Sequence, residues 1–177
     1  MKFKELIEAR RSVRKYVASE ISKAEVEAIV GEALNAPSWK NTEVTHYYAA
    51  VSAETKGRLW NEALPSFNVA STANAAALVV VTFKTGESGY MGTASANELG
   101  EMWGAYDCGL ASAYFVLAAK SHGWDALILG IRDAEKIKAL MDIPEDEVVT
   151  SVIALGKAAQ SAAKPPRKLV DEVLSLR

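Results

Sequence analysis

The sequence predicts an α+β sandwich. Helices of mixed length surround a few separated strands, and no clean βαβ series runs through them. Half of the residues are hydrophobic and 24% are charged, as in an ordinary globular protein. A chain of 177 residues is one domain's length. Such a chain buries about 70% of its unfolded surface, so it needs no disulfide or metal staple.

From Lys2 to Arg10, the residues Phe3, Leu6 and Ile7 share one helical stripe. A second helix starts after Ser22, because Ser22 and Glu25 form an S-x-x-E capping box. Its apolar face is Val26, Ile29, Val30 and Leu34, and Pro37 ends it. Val44 to Val51 is rich in β-branched and aromatic residues and reads as a strand. Ser52 caps a helix running to Leu64, with Leu59 and Trp60 inward. Ala77 to Phe83 is an apolar run of strand length, expected to be buried on both faces. Gly86, Gly89 and Gly92 punctuate a flexible stretch to Ala96.

A long helix follows from Asn97 to Ser121, with Leu99, Met102, Trp103, Tyr106, Leu110, Tyr114 and Leu117 at helical spacing. His122-Gly123 stops it. Ala126 to Leu129 is a short strand, Asp133 caps a helix ending near Met141, and Val148 to Leu155 is the last strand. After Gly156 the chain turns into an Ala/Pro/Lys tail, with a terminal helix expected over Leu169–Leu176. Residues 1–177 thus read as a single domain, and 157–177 as its extended carboxyl-terminal tail.

Composition excludes several classes of function. Lys and Arg number 20 against 22 Asp and Glu, a net charge of −2 that gives no global field for nucleic acid. No apolar run approaches ~18 residues and the amino terminus is charged, so neither a membrane span nor a secretion signal is expected. The single cysteine, Cys108, fits a reducing cytoplasm and, mid-helix among small and apolar residues, buried packing. The signatures G-x-G-x-x-G, G-x-x-x-x-G-K, G-x-S-x-G, H-E-x-x-H and C-x-x-C are all missing. His46 and His122 stand at no ligand spacing, so both read as structural and no metal is expected.

Local charge says more. Two basic knots, Arg10-Arg11-Ser12-Val13-Arg14-Lys15 and Lys164-Pro165-Pro166-Arg167-Lys168, sit at opposite ends of an acidic chain. If the first is extended, alternation sends Arg10, Ser12 and Arg14 to one side. Two guanidinium forks and a hydroxyl grip a phosphate well, although charge runs are also commonly just solvated. The loop Ala36-Pro37-Ser38-Trp39-Lys40-Asn41-Thr42 offers a hydroxyl, an indole and an amide to a planar heterocycle, or forms a turn with a surface tryptophan.

In order and spacing, R-R-S-V-R-K-Y, N-A-P-S-W-K-N, L-I-L-G-I (Leu127–Ile131) and a late I-A-L-G followed by K-P-P-R-K resemble the FMN-dependent nitroreductase family across almost the whole chain. The resemblance implies a three-layer sandwich: a mixed, mainly antiparallel sheet flanked by helices, in an intertwined homodimer with FMN at the subunit interface. It implies an enzyme that moves hydride from NADH or NADPH to a nitroaromatic, quinone or related small electrophile, in ping-pong order. The flavin carries the chemistry, so no side chain is catalytic. Arg10, Arg11 and Ser12 would meet the ribityl phosphate and nearby polar atoms, Arg14 the pyrimidine edge, and Lys164 and Arg167 the phosphate from the tail. Pro37, Ser38, Trp39 and Asn41 would come from the partner chain. Asn68 would contact the ring, and Leu129 and Gly130 would meet it through their backbone.

The chain departs from the family where Gln-Pro-Trp is common, reading Glu43, Val44 and Thr45, and where Trp39 stands for a common second serine. These changes fall on the substrate side. They keep a second reading open, a flavin-binding dimer that turns over little and acts as a binder or sensor. A third is an unrelated small anion- or nucleotide-binding protein.

Overall fold

The apolar run at Ala77 is the spine of the computed structural model, which describes residues 2–177. In chain order the elements are α1 (Phe3–Ala9), β1 (Tyr16–Val17), α2 (Lys23–Ala33), β2 (Thr45–Ala50), α3 (Ala53–Arg58), α4 (Ser66–Thr72) and β3 (Ala77–Lys84). Then follow β4 (Tyr90–Met91), β5 (Ala94–Ser95), α5 (Met102–Ser121), β6 (Asp125–Leu129), α6 (Ala134–Met141) and β7 (Glu147–Ala158).

β3 is antiparallel to β2 on one edge, Thr45 opposite Phe83, and to β7 on the other, Ala77 opposite Leu155. A bulge between Val81 and Thr82 shifts the second register. On its far side β7 pairs with β6, and its last two residues pair with β1. Among the described residues the isolated bridge from Ser12 to Ala126 is the parallel contact that makes the sheet mixed. Alternation along β3 sends Val79, Val81 and Phe83 to one face, where α2 and α5 cover them. Leu78 and Val80 go to the other, against Leu59, Leu64 and Ile137. Helices on both faces of one sheet make the expected three-layer sandwich.

Elements set by local chemistry form where the sequence puts them. The Ser22–Glu25 capping box is complete, and Ser52 and Asp133 accept from Thr55 N–H and Lys136 N–H. Others differ. α2 stops at Ala33, before Pro37, because the Asn35 amide donates to the Glu32 carbonyl at 3.0 Å and takes an acceptor the helix would have used. The helix from Ser52 loosens into a π turn over Leu59–Ala63, and Pro65 opens α4, which the sequence reading lacks. The glycine-rich stretch carries the β4–β5 hairpin.

α5 begins at Met102 rather than Asn97. The Asn97 side chain accepts from Leu99 N–H and Trp103 Nε1–H, and Gly100 takes a φ of 50°. The helix buries Gly104, Cys108, Ala111 and Ala119 together with Phe115, and leaves Ala105, Gly109 and Ala113 exposed with Met102, Tyr106 and Tyr114. β7 runs to Ala158, so the tail proper starts at 159 rather than 157. Leu169–Leu176 forms no helix beyond a single turn at Val170–Glu172, because a segment this short needs a packing face and has none here.

Candidate functional site

α1 delivers the first basic knot to the sheet. Val13 N–H donates to the Ala126 carbonyl at 3.0 Å and its side chain is buried, while Ser12 and Arg14 are exposed beside it. Tyr16 anchors the next step, donating from its hydroxyl to the Val13 carbonyl at 2.9 Å. Its ring lies on Gly156, where a Cβ would stand 2.5 Å from a ring carbon, so only glycine fits.

The tail returns to the same place. Ala159 N–H donates to the Lys15 carbonyl at 2.9 Å, and Gln160, Ala162 and Ala163 form a groove with Ser12, Arg14 and Lys15. Beyond it Lys164 pairs with Glu8, and its hydrogen bond and charge hold the Glu8 carboxyl below the usual range. Arg167 leans on the Pro165 and Pro166 carbonyls at 3.4 Å. The tail thus lines the groove beside the first knot through Gln160, Ala162 and Ala163, while Lys164 of the second knot is held at Glu8 on α1. The Arg11 guanidinium donates to the Glu8 and Arg10 carbonyls, at 2.5 and 2.7 Å, and lines an adjoining groove with Lys120 and Asp125 that shares Val13, Gln160 and Ala162 with the first.

Pro37–Asn41 lies elsewhere. Its turn contains Lys40 and Asn41 at φ 46° and 55°, followed by Glu43 at 52°. Ser38 Oγ accepts from Glu43 N–H at 3.0 Å and the Asn41 amide donates to Glu43 at 2.8 Å, so the departure at Glu43 holds the loop's shape. Val44 is core and Thr45 opens β2. Trp39 does not point outward. Its N–H donates to Asp107 Oδ2 at 2.9 Å, and its ring packs on Trp103 with centroids 4.9 Å apart. Trp103 in turn meets Tyr106 edge-on at 5.3 Å.

The third group surrounds Gly130. Leu129 is buried in the core, which leaves only its backbone for a ligand, while Gly130 has open space at its Cβ position. Asn68 is buried and donates to the Ile131 carbonyl at 2.7 Å, so its amide nitrogen holds this loop. Arg132 was missed in the sequence. It donates to the Gly130 carbonyl at 3.3 Å and to the Val149 carbonyl, and its place beside L-G-I is the signal that could have marked it. Asp107 and Trp103 were also missed, although an aspartate among apolar α5 residues is a visible oddity.

One chain does not bring these groups together. Trp39 is held at Asp107 and Arg11 lies near Lys120, thirteen residues further along α5, about 20 Å at 1.5 Å per residue. Burial pushes the Cys108 thiol up, His46 bonds Glu147 at 2.6 Å, and His122 bonds Glu32 at 2.8 Å. Among the described residues no cluster of three His, Cys, Asp or Glu could hold a metal, and no helix is long and apolar enough to cross a membrane.

The family model described as the nitroreductase family matches residues 7–157. A protein of Archaeoglobus fulgidus, provisionally named NADH dehydrogenase/NAD(P)H nitroreductase, is 30% identical over 155 residues, which cover 85% of this chain and 82% of its own. An enone reductase of conjugated linoleic acid (CLA) biosynthesis from Lactiplantibacillus plantarum is 26% identical over 182 residues, covering 85% and 83%. Among solved structures, a provisionally named nitroreductase in complex with FMN from Exiguobacterium sibiricum superposes with a TM-score of 0.87 at 21% identity, covering 100% of this chain and 98% of that one. This likeness shows the fold.

Proposed function

The chain belongs to the nitroreductase family, and on that premise we propose that it is a homodimeric, FMN-dependent oxidoreductase. It takes hydride from NADH or NADPH and passes it to a nitroaromatic, a quinone or a related small electrophile. An alkene conjugated to a carbonyl, the class in the Lactiplantibacillus relative's name, belongs to the same range. The observation that carries the reading is the return of the carboxyl-terminal tail, which bears the second basic knot, to the groove lined by Ser12, Arg14 and Lys15.

The donor set fits FMN. Arg10, Ser12 and Arg14 present two guanidinium groups and a hydroxyl on one side, the chemistry that grips a phosphate and the oxygens near it. Lys164 and Arg167 would close on the phosphate from the tail, with Lys164 exchanging Glu8 for the anion. The open backbone at Leu129–Gly130 leaves room for a flat ring. When bound, FMN supplies the two-electron chemistry that no side chain here can. Arg14 places a permanent positive charge beside it, favouring negative charge on its neighbour. Donor and acceptor take turns in one site, so the kinetics are ping-pong.

The second copy is needed because Pro37, Ser38, Trp39 and Asn41 stand about 20 Å along α5 from Arg11, whose groove adjoins the basic one. The exposed Met102, Tyr106 and Tyr114 give α5 an apolar outer face for that copy. Residues 1–177 act as one domain in this reading. With one buried thiol it suits the cytoplasm, with small-molecule substrates and neither nucleic acid nor membrane as partner.

Flavin fluorescence titration tests the assignment. Wild-type protein is expected to bind one FMN per chain. Replacing Arg10 and Arg167 together by alanine is expected to weaken binding at least tenfold, since each charged hydrogen bond contributes about 1.5–3 kcal/mol. Unchanged affinity overturns the phosphate grip. Tight FMN binding without NAD(P)H oxidation by any acceptor favours a binder or sensor.

A further inference from the structure

Asp107 has no part in the cofactor grip just described. It is a carboxylate in the middle of α5 and only 3% exposed. One oxygen, Oδ2, accepts from two segments far apart in sequence. Trp39 N–H, 68 residues away, donates at 2.9 Å, and the Ser88 hydroxyl, 19 residues away, donates at 2.6 Å. Ser88 is fully buried, so this second bond has no water in competition. A buried carboxylate is costly unless it is well hydrogen-bonded, and here the bonds come from the two loops.

Those loops are also linked through Trp103. Trp103 packs on Trp39 from one side, and its side chain fills the space where Gly89 would carry a Cβ, next to Ser88, on the other. The loop at Trp39 is also held in a conformation unusual for its residues, with Lys40 and Asn41 both at positive φ. A loop so shaped keeps its position through anchors, and Trp39 N–H is its backbone anchor to the helix.

We propose that Asp107 is a positioning residue. It sets the Pro37–Asn41 loop against α5 and ties the Ser88 turn to it, so that the loop and its aromatic backing meet the second copy already assembled. This rests on the proposed function, in which that loop faces the partner's flavin. The carboxylate does not touch the reacting atoms. It acts through the Trp39 backbone, and the Ser88 turn behind the loop becomes a specificity element for the acceptor.

The test uses the flavin-loaded dimer and compares wild type with Asp107→Leu, Asp107→Asn and Ser88→Ala. Amide hydrogen exchange at Trp39 is expected to quicken at least tenfold in Asp107→Leu and at least threefold in Ser88→Ala, which removes no atom of the loop. The acceptor KM is expected to rise at least threefold in Ser88→Ala with kcat within twofold. Asparagine keeps an oxygen for both donors, so Asp107→Asn should restore exchange and KM to within threefold of wild type. Should Asp107→Leu fail to fold, Ser88→Ala and Asp107→Asn still decide. Wild-type exchange at Trp39 in Ser88→Ala, or an unchanged KM there, overturns the coupling. An Asp107→Asn protein without rescue overturns the positioning role. If wild-type protein binds no FMN, the proposed function falls, and exchange at Trp39 in the flavin-free protein decides the link between the two segments.

Discussion

Glu147 is 3% exposed and its carboxylate collects donors from two neighbouring strands. His46 lies at 2.6 Å, Tyr48 donates from its hydroxyl at 2.9 Å, and Thr82 donates to the other oxygen. Burial alone would raise its pKa, but the bonds from Thr82, His46 and Tyr48 outweigh this and hold it below the usual carboxylate range. Burial and the Glu147 carboxylate push Tyr48 up to about 12, so it remains a donor at neutral pH. A pKa depressed in the folded state stabilises the protein above the unfolded value, and that stability is lost as pH falls through the folded value. Glu147→Gln is therefore expected to cost about 1–3 kcal/mol at pH 7, and the gap from wild type to narrow as pH drops below about 4. Urea midpoints at pH 7, 5, 4 and 3 read this, and a gap constant with pH would refute it. Tyr47 shows the opposite case, a buried hydroxyl with no hydrogen-bond partner. Tyr47→Phe is expected to leave stability unchanged or raise it by about 1 kcal/mol, measured as the urea midpoint. Neither role was legible in the sequence, because the partners of Glu147 lie 65 to 101 residues away. Arg10, Ser12 and Arg14 stood out in the sequence because they cluster in one short run of charge beside the strand β1.

Among the elements, those written in short-range chemistry were readable and those that depend on packing were not. Capping residues mark the starts of α2, α3 and α6 within three positions, and β3 announces itself by composition. α4 has no apolar stripe of its own beyond Phe67 and Val69, and β4 and β5 are two residues each. For α5 the periodicity was visible but its burial was not. The helix is apolar nearly all round, so pattern alone cannot say which side meets the sheet. Gly104 decides that side, since a Cβ there would strike the Phe83 ring. Gly104→Ala is therefore expected to destabilise by about 1–3 kcal/mol although alanine is the better helix former, and a raised Tm would contradict it.

At the scale of the molecule, the outward Tyr106 and Tyr114 are where the proposed second copy would sit. Tyr106→Glu with Tyr114→Glu is expected to yield folded monomers by sedimentation that retain little FMN. A flavin-loaded monomer would refute the shared site. The two halves of that site could be listed from the sequence but not placed, because their separation along α5 is a property of the fold. The sheet has a further consequence, for synthesis. Its central strand, β7, lies between β3 and β6 and is made after both. A nascent chain that has reached only Asp146 has the segments of β2 and β3 but lacks the partner for the far edge of β3, from Ala77 to Phe83. That edge is apolar and free of lysine until its last residue, the kind of surface that recruits other strands. Only when Leu155 has been made can it close opposite Ala77. Slowing translation over the codons for Glu147–Arg177 is therefore expected to increase aggregation more than slowing it over those for residues 1–30, as pulse-labelled pelleting would show.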